Sequence, residues 1–273
     1  MPIWAGAEVA LCGPQGDPLT IHRLVAAAIS VSFLVTATSA AQAAACSFEP
    51  QGEGHVAAII DGRSFRLDDG REIRLAGIEL VADGKDTAAL SAMIRDRDVS
   101  LRGPDDTPDR YGRQTAFAFL AGSDMSVQAQ LLAQGAALAS PEVADKDCAG
   151  ALMAAEAGAR TEKKGRWAGT NVIKNAESTD DILAGIGRFT LVEGRVLSVR
   201  QAGAITYLNF GRNWTRDFAA TISRRMMPAV ESAGITLKSL ENRRIRIRGW
   251  VEAHPGPRIE VVRAGQIEVL SGN

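Results

Sequence analysis

Three short apolar stretches in a row, joined by tight turns, constrain the fold of this chain more than any other feature of its sequence. They are HVAAIID, RSFRLDDG and REIRLAGIEL, at residues 55–61, 63–70 and 71–80. The second and third alternate between polar and apolar residues, and Asp69-Gly70 between them is a strong signal for a hairpin turn. The pattern predicts three consecutive β-strands, with Gly77 marking a bulge.

A helix, two more strands and two more helices are predicted next. TAALSAMIRD places Leu90 and Ile94 on one helical face, and DVSLRG and QTAFAFLAG have the pattern of strands. SVQAQLLAQ is helical and stops at Gly135, a typical C-terminal cap, and residues 149–164 form the last helix. This order of elements predicts a five-stranded barrel with helices attached to it.

The C-terminal third of the chain has a second β-rich pattern. TLVEGRVLSVRQ, AITYLNFG and DFAATI precede a short helix at PAVESAG, and RRIRIRGWVEA and PRIEVVRAGQIEVL follow it. Three strands, a helix and two strands predict a small five-stranded barrel of OB type. Residues 170–187 lack a clear period and are predicted to link a first domain at residues 46–169 to this second domain at residues 188–273. The expected fold class is therefore mainly β with α.

The first 45 residues have the pattern of an export signal. His22 and Arg23 precede the uncharged stretch LVAAAISVSFLV, and small residues with A-x-A spacing follow it. This stretch is short for a helix that spans a bilayer, which needs about 20 residues. We predict a signal peptide at residues 1–45, with a translation start that is placed too far upstream as one explanation of its atypical beginning. The mature protein is then periplasmic or secreted and has no stable membrane insertion, and an uncleaved anchor is the alternative.

Cysteine usage is consistent with export. Cys12 falls within the predicted signal, which leaves Cys46 and Cys148 as a single pair in an oxidising compartment. We predict a disulfide between them that closes a loop of roughly 100 residues and stabilises the fold by about 4–5 kcal/mol. Two buried thiols are the alternative.

Charge is distributed unevenly between the two predicted domains. Residues 46–170 contain 15 Lys and Arg against 20 Asp and Glu, whereas residues 188–273 contain 14 against 7. In the basic domain, Arg244, Arg246 and Arg248 alternate with isoleucines along one strand. A basic face with aromatic residues beside it binds single-stranded nucleic acid on many OB barrels.

We therefore predict a nucleic-acid site formed by these three arginines together with Tyr207 and Trp250. Two alternatives remain open. The aromatic residues fill the interior of the barrel, and the arginines form an ordinary solvated face.

The first domain resembles the staphylococcal nuclease (thermonuclease) family. The matching segments are VAAIIDGRSFRLDDGREIRLAGIE, the following helix, DRYGRQTAFAFL, VQAQLLAQGAALA and AEAGARTEKKGRWAG, which together cover about 115 residues. The resemblance implies an OB-type five-stranded barrel of staphylococcal-nuclease type. In active members it also implies calcium-dependent hydrolysis of DNA and RNA phosphodiesters.

Two arginines match the family pattern for catalysis. Arg74 matches the family arginine on the third strand, and Arg113 in DRYGR matches the second. Arginine suits this role because its planar guanidinium binds two phosphate oxygens at once and stays protonated. The resemblance therefore implies that Arg74 and Arg113, with Glu79, are the catalytic residues. The alternative is that the arginines pair with neighbouring acids at the surface.

The metal ligands implied by the resemblance are altered. The family pattern D-G-D-[TS] is here Asp61-Gly62-Arg63-Ser64, so that an arginine replaces one expected carboxylate. Asp61 is kept, and Glu79 stands where the family has an aspartate. Because the Glu79 side chain has one methylene more than aspartate, its ligand oxygen is shifted by more than ~1 Å. A positive charge at Arg63 is expected to repel a divalent cation.

The catalytic base implied by the resemblance is missing. The family has glutamate in a [TS]-P-E motif, where this chain has Leu80-Val81-Ala82. Asp83 lies one residue later and replaces the base or a metal ligand only if the loop shifts. The calcium site implied by the resemblance therefore consists of Asp61, Glu79 and Asp83 and is degenerate.

Two functions follow from the sequence. The first is an exported thermonuclease-family protein that acts on or binds nucleic acid, with weak phosphodiester hydrolysis. The second is a non-catalytic module of the cell envelope that binds nucleic acid or protein. Convergence of the candidate residues on one pocket would favour the first function.

Overall fold

The structure is a computed structural model that describes residues 46, 48–80 and 86–270. Within these residues the fold is mainly β with some helices, which confirms the predicted class at that level. The predicted signal peptide at residues 1–45 lies outside them. No helix in the described part of the chain is long and apolar enough to cross a membrane.

Five strands of the N-terminal half close into a barrel around an apolar core. The elements of this half are β1 (Glu49–Asp61), β2 (Ser64–Leu67), β3 (Glu72–Leu75), β4 (Ile78–Glu79), α1 (Ala88–Ile94), β5 (Asp98–Gly103), β6 (Arg113–Leu120), α2 (Val127–Ala133), β7 (Leu138–Ala139) and α3 (Lys146–Thr161). The order around the barrel is β1-β2-β3-β6-β5, and only β3 and β6 run parallel. Phe65, Ile73 and Leu101 alternate with polar neighbours and are fully buried, as the pattern predicts.

Glycines permit two of the turns in this barrel. Asp69-Gly70 forms the predicted turn between β2 and β3, where Gly70 has φ +89°. Gly77 forms a turn between β3 and β4 with φ +71°, and not the predicted bulge. A Cβ at Gly77 would lie 2.6 Å from Leu152 of α3, so this turn requires glycine for its conformation and for the close approach of the helix.

Polar side chains cap the two helices that pack on each other, α2 and α3. Ser126 Oγ accepts a hydrogen bond from the Ala129 N–H at 3.2 Å, and Asp145 Oδ1 accepts one from the Cys148 N–H at 2.7 Å. These bonds satisfy N–H groups that have no partner within the helix. Gly135 follows α2 with φ +70°, which confirms the predicted C-terminal cap.

The predicted disulfide between Cys46 and Cys148 is confirmed. The two Cα atoms are 4.5 Å apart, across a sequence separation of 102 residues. The bond attaches the beginning of the described chain to the first turn of α3, where Cys148 is fully buried. Because it closes a long loop, it restricts the unfolded chain more than a short-range disulfide would.

The C-terminal half forms an eight-stranded sheet, which has three strands more than the five predicted. Its elements are β8 (Ile173–Asn175), α4 (Thr179–Leu183), β9 (Phe189–Arg195), β10 (Ser198–Ala202), β11 (Ile205–Asn209), β12 (Ala219–Ser223), α5 (Met227–Ser232), β13 (Arg244–His254), β14 (Gly256–Val261) and β15 (Ile267–Val269). The hydrogen-bonded order is β10-β11-β12-β14-β13-β9-β8, and β15 pairs with β13.

Two of the additional strands, β10 and β15, arise because a segment predicted as one strand is interrupted. Between β9 and β10 the Val196 N–H donates to a carbonyl beside β13, whereas the next N–H, of Leu197, donates to β11. The chain therefore bends where it changes its partner. Between β14 and β15 the buried Gln266 side chain accepts the Val262 N–H at 2.7 Å and replaces a strand partner.

The predicted linker at residues 170–187 is part of this sheet. β8 pairs parallel with β9, and α4 follows β8 in the chain. Ala176 and Ile182 are buried in the core of the C-terminal half. These two apolar residues are too far apart in sequence to produce a period, which is why the segment resembles a linker in the sequence.

The two halves repeat one order of strand pairing. In the first, β3 runs parallel to β6, and α1 precedes β5; in the second, β12 runs parallel to β14, and α5 precedes β13. In the second half, β9 continues through the bend into β10, where the pairing order β10-β11-β12-β14-β13 begins. The last strand of this order, β13, pairs with β9, so the order ends beside the strand from which β10 continues. The corresponding order of the first half, β1-β2-β3-β6-β5, returns to β1.

The halves meet along an apolar cluster. Leu138, Ala159 and Trp167 of the N-terminal half pack with Phe189 and Leu191 of β9. All of the described residues belong to one compact unit. The second half is therefore docked on the first through side chains of α3, β7 and β9.

Candidate functional site

Three of the residues implied in phosphodiester chemistry lie on elements at the start of the barrel. Asp61 ends β1, Arg74 lies in β3 and Glu79 ends β4. The pKa of the Arg74 guanidinium is lowered, first by burial and then by the positive charge of Arg63, while Glu79 and Asp61 oppose this shift. The structure thus brings these charges close enough to influence one another.

Arg63, which replaces the aspartate of the family pattern, forms a buried ion pair with Glu79. Its Nη1 lies 2.5 Å from Glu79 Oε2, and the two side chains are only 10% and 7% exposed. The same nitrogen donates to the Ile78 carbonyl at 2.8 Å, and the Arg63 N–H donates to Asp61 Oδ1 at 2.8 Å. A guanidinium therefore lies against the carboxylate that the resemblance assigns to a metal.

Burial and the ion pair have opposite effects on the pKa of Glu79. Burial raises the pKa of the Glu79 carboxyl, and the positive charges of Arg63 and Arg74 counteract this rise. A buried carboxylate without a cation is strongly destabilising. Arg63 supplies the nearest positive charge, which favours the ionised form of Glu79 against the effect of burial.

The residues present do not fit calcium. Calcium takes about six to eight oxygen ligands in proteins, whereas Arg63 offers only N–H donors and a positive charge. Asp83, the third implied ligand, and Ala82 lie outside the described residues. Within the described ranges, no three His, Cys, Asp or Glu side chains come together so as to hold a metal ion.

Arg113 is held by an acid of its own motif. At the start of β6, its Nη2 and Nε donate to Asp109 Oδ2 at 2.7 and 3.0 Å. This guanidinium lowers the pKa of the Asp109 carboxyl to about 2. Arg113 also lies over the exposed ring of Tyr111, 5.0 Å from its centroid. The Arg113 guanidinium thus forms an ion pair with a neighbouring acid, which is the stated alternative to a catalytic role.

The three arginines predicted as a basic nucleic-acid face do not form an exposed face. Along β13 the side-chain exposure falls from 56% at Arg244 to 8% at Arg246 and 1% at Arg248. Arg244 and Arg246 bind the two carboxylate oxygens of Glu193 at 2.9 and 2.7 Å, and Arg246 also binds Glu268 at 2.7 Å. Their charges are therefore neutralised within the protein.

Arg248 joins the two halves of the molecule. Its guanidinium donates to both carboxylate oxygens of Glu156 in α3, at 2.9 and 3.0 Å, and to the Ala139 carbonyl at 2.9 Å. Glu156 in turn accepts the Ala139 N–H at 2.7 Å and pairs with Arg160 at 3.0 Å. The strand pattern predicts that these arginines share a face, but it does not predict that the N-terminal half covers it.

Trp250 lies on an acidic part of the surface. Its partly exposed ring packs edge to face on Phe189, 6.1 Å between centroids. A cleft of about 120 Å³ beside it is lined by Glu142, Glu252 and Glu260. Carboxylates around the ring repel a polyanion, so the predicted role of Trp250 in binding nucleic acid has no support in this geometry.

Tyr207 lies in a different environment, a groove of about 710 Å³ on the C-terminal half. The groove crosses the outward faces of β10, β11 and β12, and Arg200, Arg212, Trp214 and His254 also line it. Arg200, Arg212 and His254 belong to no repeated pattern, so the sequence alone does not identify them as site residues. An exposed tryptophan in the polar loop GRNWTRD is the one local signal that could have identified them.

Comparison with models of known protein families gives no match for this chain, and comparison with curated proteins gives none.

Proposed function

We propose that this protein is an exported member of the staphylococcal nuclease family that binds nucleic acid and has lost calcium-dependent hydrolysis. The closed first barrel, with its parallel pair β3 and β6, supports an OB-type scaffold of this kind. The repeated pairing order supports a second OB-type unit in the C-terminal half. The disulfide supports export, because such bonds persist in oxidising compartments.

The observation that carries the loss of hydrolysis is the ion pair between Arg63 and Glu79. Its nitrogen and oxygen are 2.5 Å apart, so Glu79 is already neutralised by a fixed cation. At about 4 Å and an effective dielectric of about 20, each unit of charge on a divalent ion would meet about 4 kcal/mol of repulsion from Arg63 before screening. Calcium would have to displace this guanidinium from a buried position.

Binding of nucleic acid is supported by the charge of the C-terminal half. Residues 188–273 contain 14 Lys and Arg against 7 Asp and Glu. A net positive surface attracts a polyanion from a distance and accounts for most non-specific binding to nucleic acid. The envelope module that binds protein remains the alternative, and it predicts no affinity for nucleic acid.

Hydrolysis with an altered metal is the second candidate. One observation favours it: Asp61, Arg74 and Glu79 remain within electrostatic reach of one another at the start of the barrel. Such an enzyme would use a metal other than calcium, held by ligands that include residues near Asp83. It would cleave nucleic acid in manganese and would be inactive in chelator.

A nuclease assay on the mature protein tests the proposed function. Labelled single-stranded DNA and RNA are incubated with the protein in calcium, in manganese and in chelator, and binding is measured in the same samples by gel shift. We expect binding in all three and cleavage in none. Strong cleavage in calcium that chelator abolishes would contradict the proposal, and cleavage in manganese alone would favour the second candidate.

A gain-of-function variant tests the assigned cause. Arg63→Asp with Ala82→Glu restores the two acids of the family pattern and should produce calcium-dependent cleavage, since a missing base alone costs about 10²–10⁴-fold in rate. Arg113→Ala in that background should abolish the gain. Arg66→Asp with Ala82→Glu is the matched control, because Arg66 is an exposed arginine of the same barrel.

A further inference from the structure

Arginines without an acidic partner gather around the groove on β10, β11 and β12. Arg200 and Arg212 line it, and the backbone of Arg216 lies against Gly256, which also lines it. Within the described residues, none of these three guanidinium groups forms an ion pair or a side-chain hydrogen bond. Their positive charge is therefore available to a ligand.

Several other arginines of the C-terminal half are neutralised by carboxylates of the protein itself. Glu193 and Glu268 are occupied by Arg246, whose side chain is buried at the contact with the first half. In the groove, the one acid is Asp217, which accepts the Asn213 N–H at 2.8 Å and holds the loop after β11. Among its described lining residues, the groove therefore has Arg200 and Arg212 without an acidic partner against this single acid.

Two aromatic side chains provide flat surfaces in the same groove. Tyr207 of β11 lies opposite Arg200 of β10 in the sheet register, so both side chains project from the same face. Trp214 is 74% exposed, although its loop is ordered by hydrogen bonds from Thr215 to Asn213 and from Asn213 to Asp217. A large apolar ring held in solvent on an ordered loop is suited to stack on a planar ligand.

We infer that this groove binds a short single strand of nucleic acid, with bases stacked on Tyr207 and Trp214 and phosphates bound by Arg200 and Arg212. The inference rests on the proposed function and assigns its binding site. A single strand fits because its base faces are free to stack, whereas a duplex covers both faces of each base. Stacking is tolerant of sequence, so the site binds single strands with little sequence preference.

Fluorescence anisotropy with the mature full-length protein tests this site. The probes are a labelled single strand of about 12 nucleotides, the corresponding duplex, and inorganic polyphosphate, which carries charge but no bases. We expect the single strand to bind most tightly. Trp214→Leu should weaken it by a factor of roughly 5 to 140, the equivalent of about 1–3 kcal/mol per stacked base.

Salt dependence separates stacking from phosphate contacts. Arg200→Gln and Arg212→Gln should each reduce the slope of log K against log salt by about 0.7, the value for one phosphate on a single strand. Trp214→Leu should leave that slope unchanged. Arg188→Gln and Trp250→Leu are the matched controls, because they remove an exposed arginine and a partly exposed tryptophan outside the groove.

The outcomes distinguish the inference from the proposed function. If the wild type binds no nucleic acid at low salt, both fail. If it binds but the groove variants behave like the two controls, only the groove assignment fails. Tighter binding of the duplex, or equal binding of polyphosphate that is unaffected by Trp214→Leu, would also overturn the groove as a single-strand site.

Discussion

Two buried arginine–carboxylate pairs, one within the first half and one between the halves, differ in what they join. Arg63 and Glu79 lie close in sequence and occupy the start of a single barrel. Arg248 and Glu156 are 92 residues apart and connect the two halves. The first pair takes a position that the resemblance assigns to a metal, whereas the second fills an interface. The comparison shows that the same buried pairing serves a position within one barrel in the first case and a contact between the two halves in the second.

The interface pair should give the largest change in stability. Glu156→Leu leaves Arg248 buried with the Ala139 carbonyl at 2.9 Å and the more distant Glu268 carboxylate at 3.6 Å as its partners, and it also removes a partner of Arg160. Breaking a buried pair in this way costs about 3–5 kcal/mol. We expect a decrease of that size in the unfolding free energy, measured by urea denaturation of the disulfide-bonded protein.

The control for this prediction is the double variant Glu156→Leu with Arg248→Met. Because it removes both charges, it should recover most of the lost stability, as found when buried pairs are replaced by apolar residues. A single variant that is as stable as the wild type would mean that water or movement of the two halves relieves the charge.

The pair inside the barrel should give the next largest effect. Arg63→Leu removes the main partner of Glu79, while Arg74 still provides positive charge nearby. We expect a loss of about 3 kcal/mol near neutral pH, at the lower end of the range for a broken buried pair. Urea denaturation of the variant checks this value, with Arg66→Leu as the exposed control.

The pH dependence of Arg63→Leu provides a second measurement. Burial already raises the pKa of Glu79 above its ordinary value of 4.5, and removal of Arg63 raises it further. An acid with a raised pKa in the folded state destabilises fully above that pKa and not at all below its unfolded value. The variant should therefore regain stability relative to the wild type as the pH falls towards 4.5. An unchanged difference over this range would show that Glu79 is not the affected group.

Local chemistry explains which parts of the molecule the sequence predicts. The turn at Asp69-Gly70 and the cap at Gly135 depend on a few neighbouring residues, and both are found where predicted. The disulfide follows because only Cys46 and Cys148 remain when the predicted signal peptide is left out of the count. Each of these features is determined by residues that can be recognised without knowledge of the fold.

Long-range contacts explain what the sequence does not predict. Alternation along β13 places Arg246 and Arg248 on one face, but the cover over that face comes from Glu156 in another half of the chain. In the same way, the ion pair of Arg63 with Glu79 depends on how β4 folds back beside the β1–β2 turn. The sequence indicates the loss of a metal ligand at Arg63, but it does not indicate the new bond.

An exposed pair on β13 should have a smaller effect than either buried pair. Arg244 is 56% exposed and lies 2.9 Å from Glu193, which Arg246 also binds. Exposed pairs contribute about 0–1 kcal/mol and are screened by salt. Arg244→Gln should therefore lower the unfolding free energy by less than about 1 kcal/mol, and by less still in high salt. A loss as large as that of Glu156→Leu would show that the exposed end of β13 also depends on its charges.

The smallest expected effect concerns the partly exposed pair of Asp109 and Arg113, which should change a titration more than the stability. The Arg113 guanidinium and backbone N–H groups hold the pKa of the Asp109 carboxyl at about 2, below its ordinary value of 3.8. An acid with a lowered pKa in the folded state stabilises above its unfolded value and loses that contribution as the pH falls through the folded one. The contribution of Asp109 should therefore be complete above pH 3.8 and disappear towards pH 2. An NMR titration of the carboxyl carbon should give a midpoint near 2 in the wild type, and Arg113→Gln should move it towards 3.8.

Arg110→Gln is the control, because Arg110 lies over the same Tyr111 ring and does not bind Asp109. If the midpoint is near 3.8 in the wild type, Arg113 does not hold Asp109 in solution and its guanidinium is free for phosphate, as the family pattern implies.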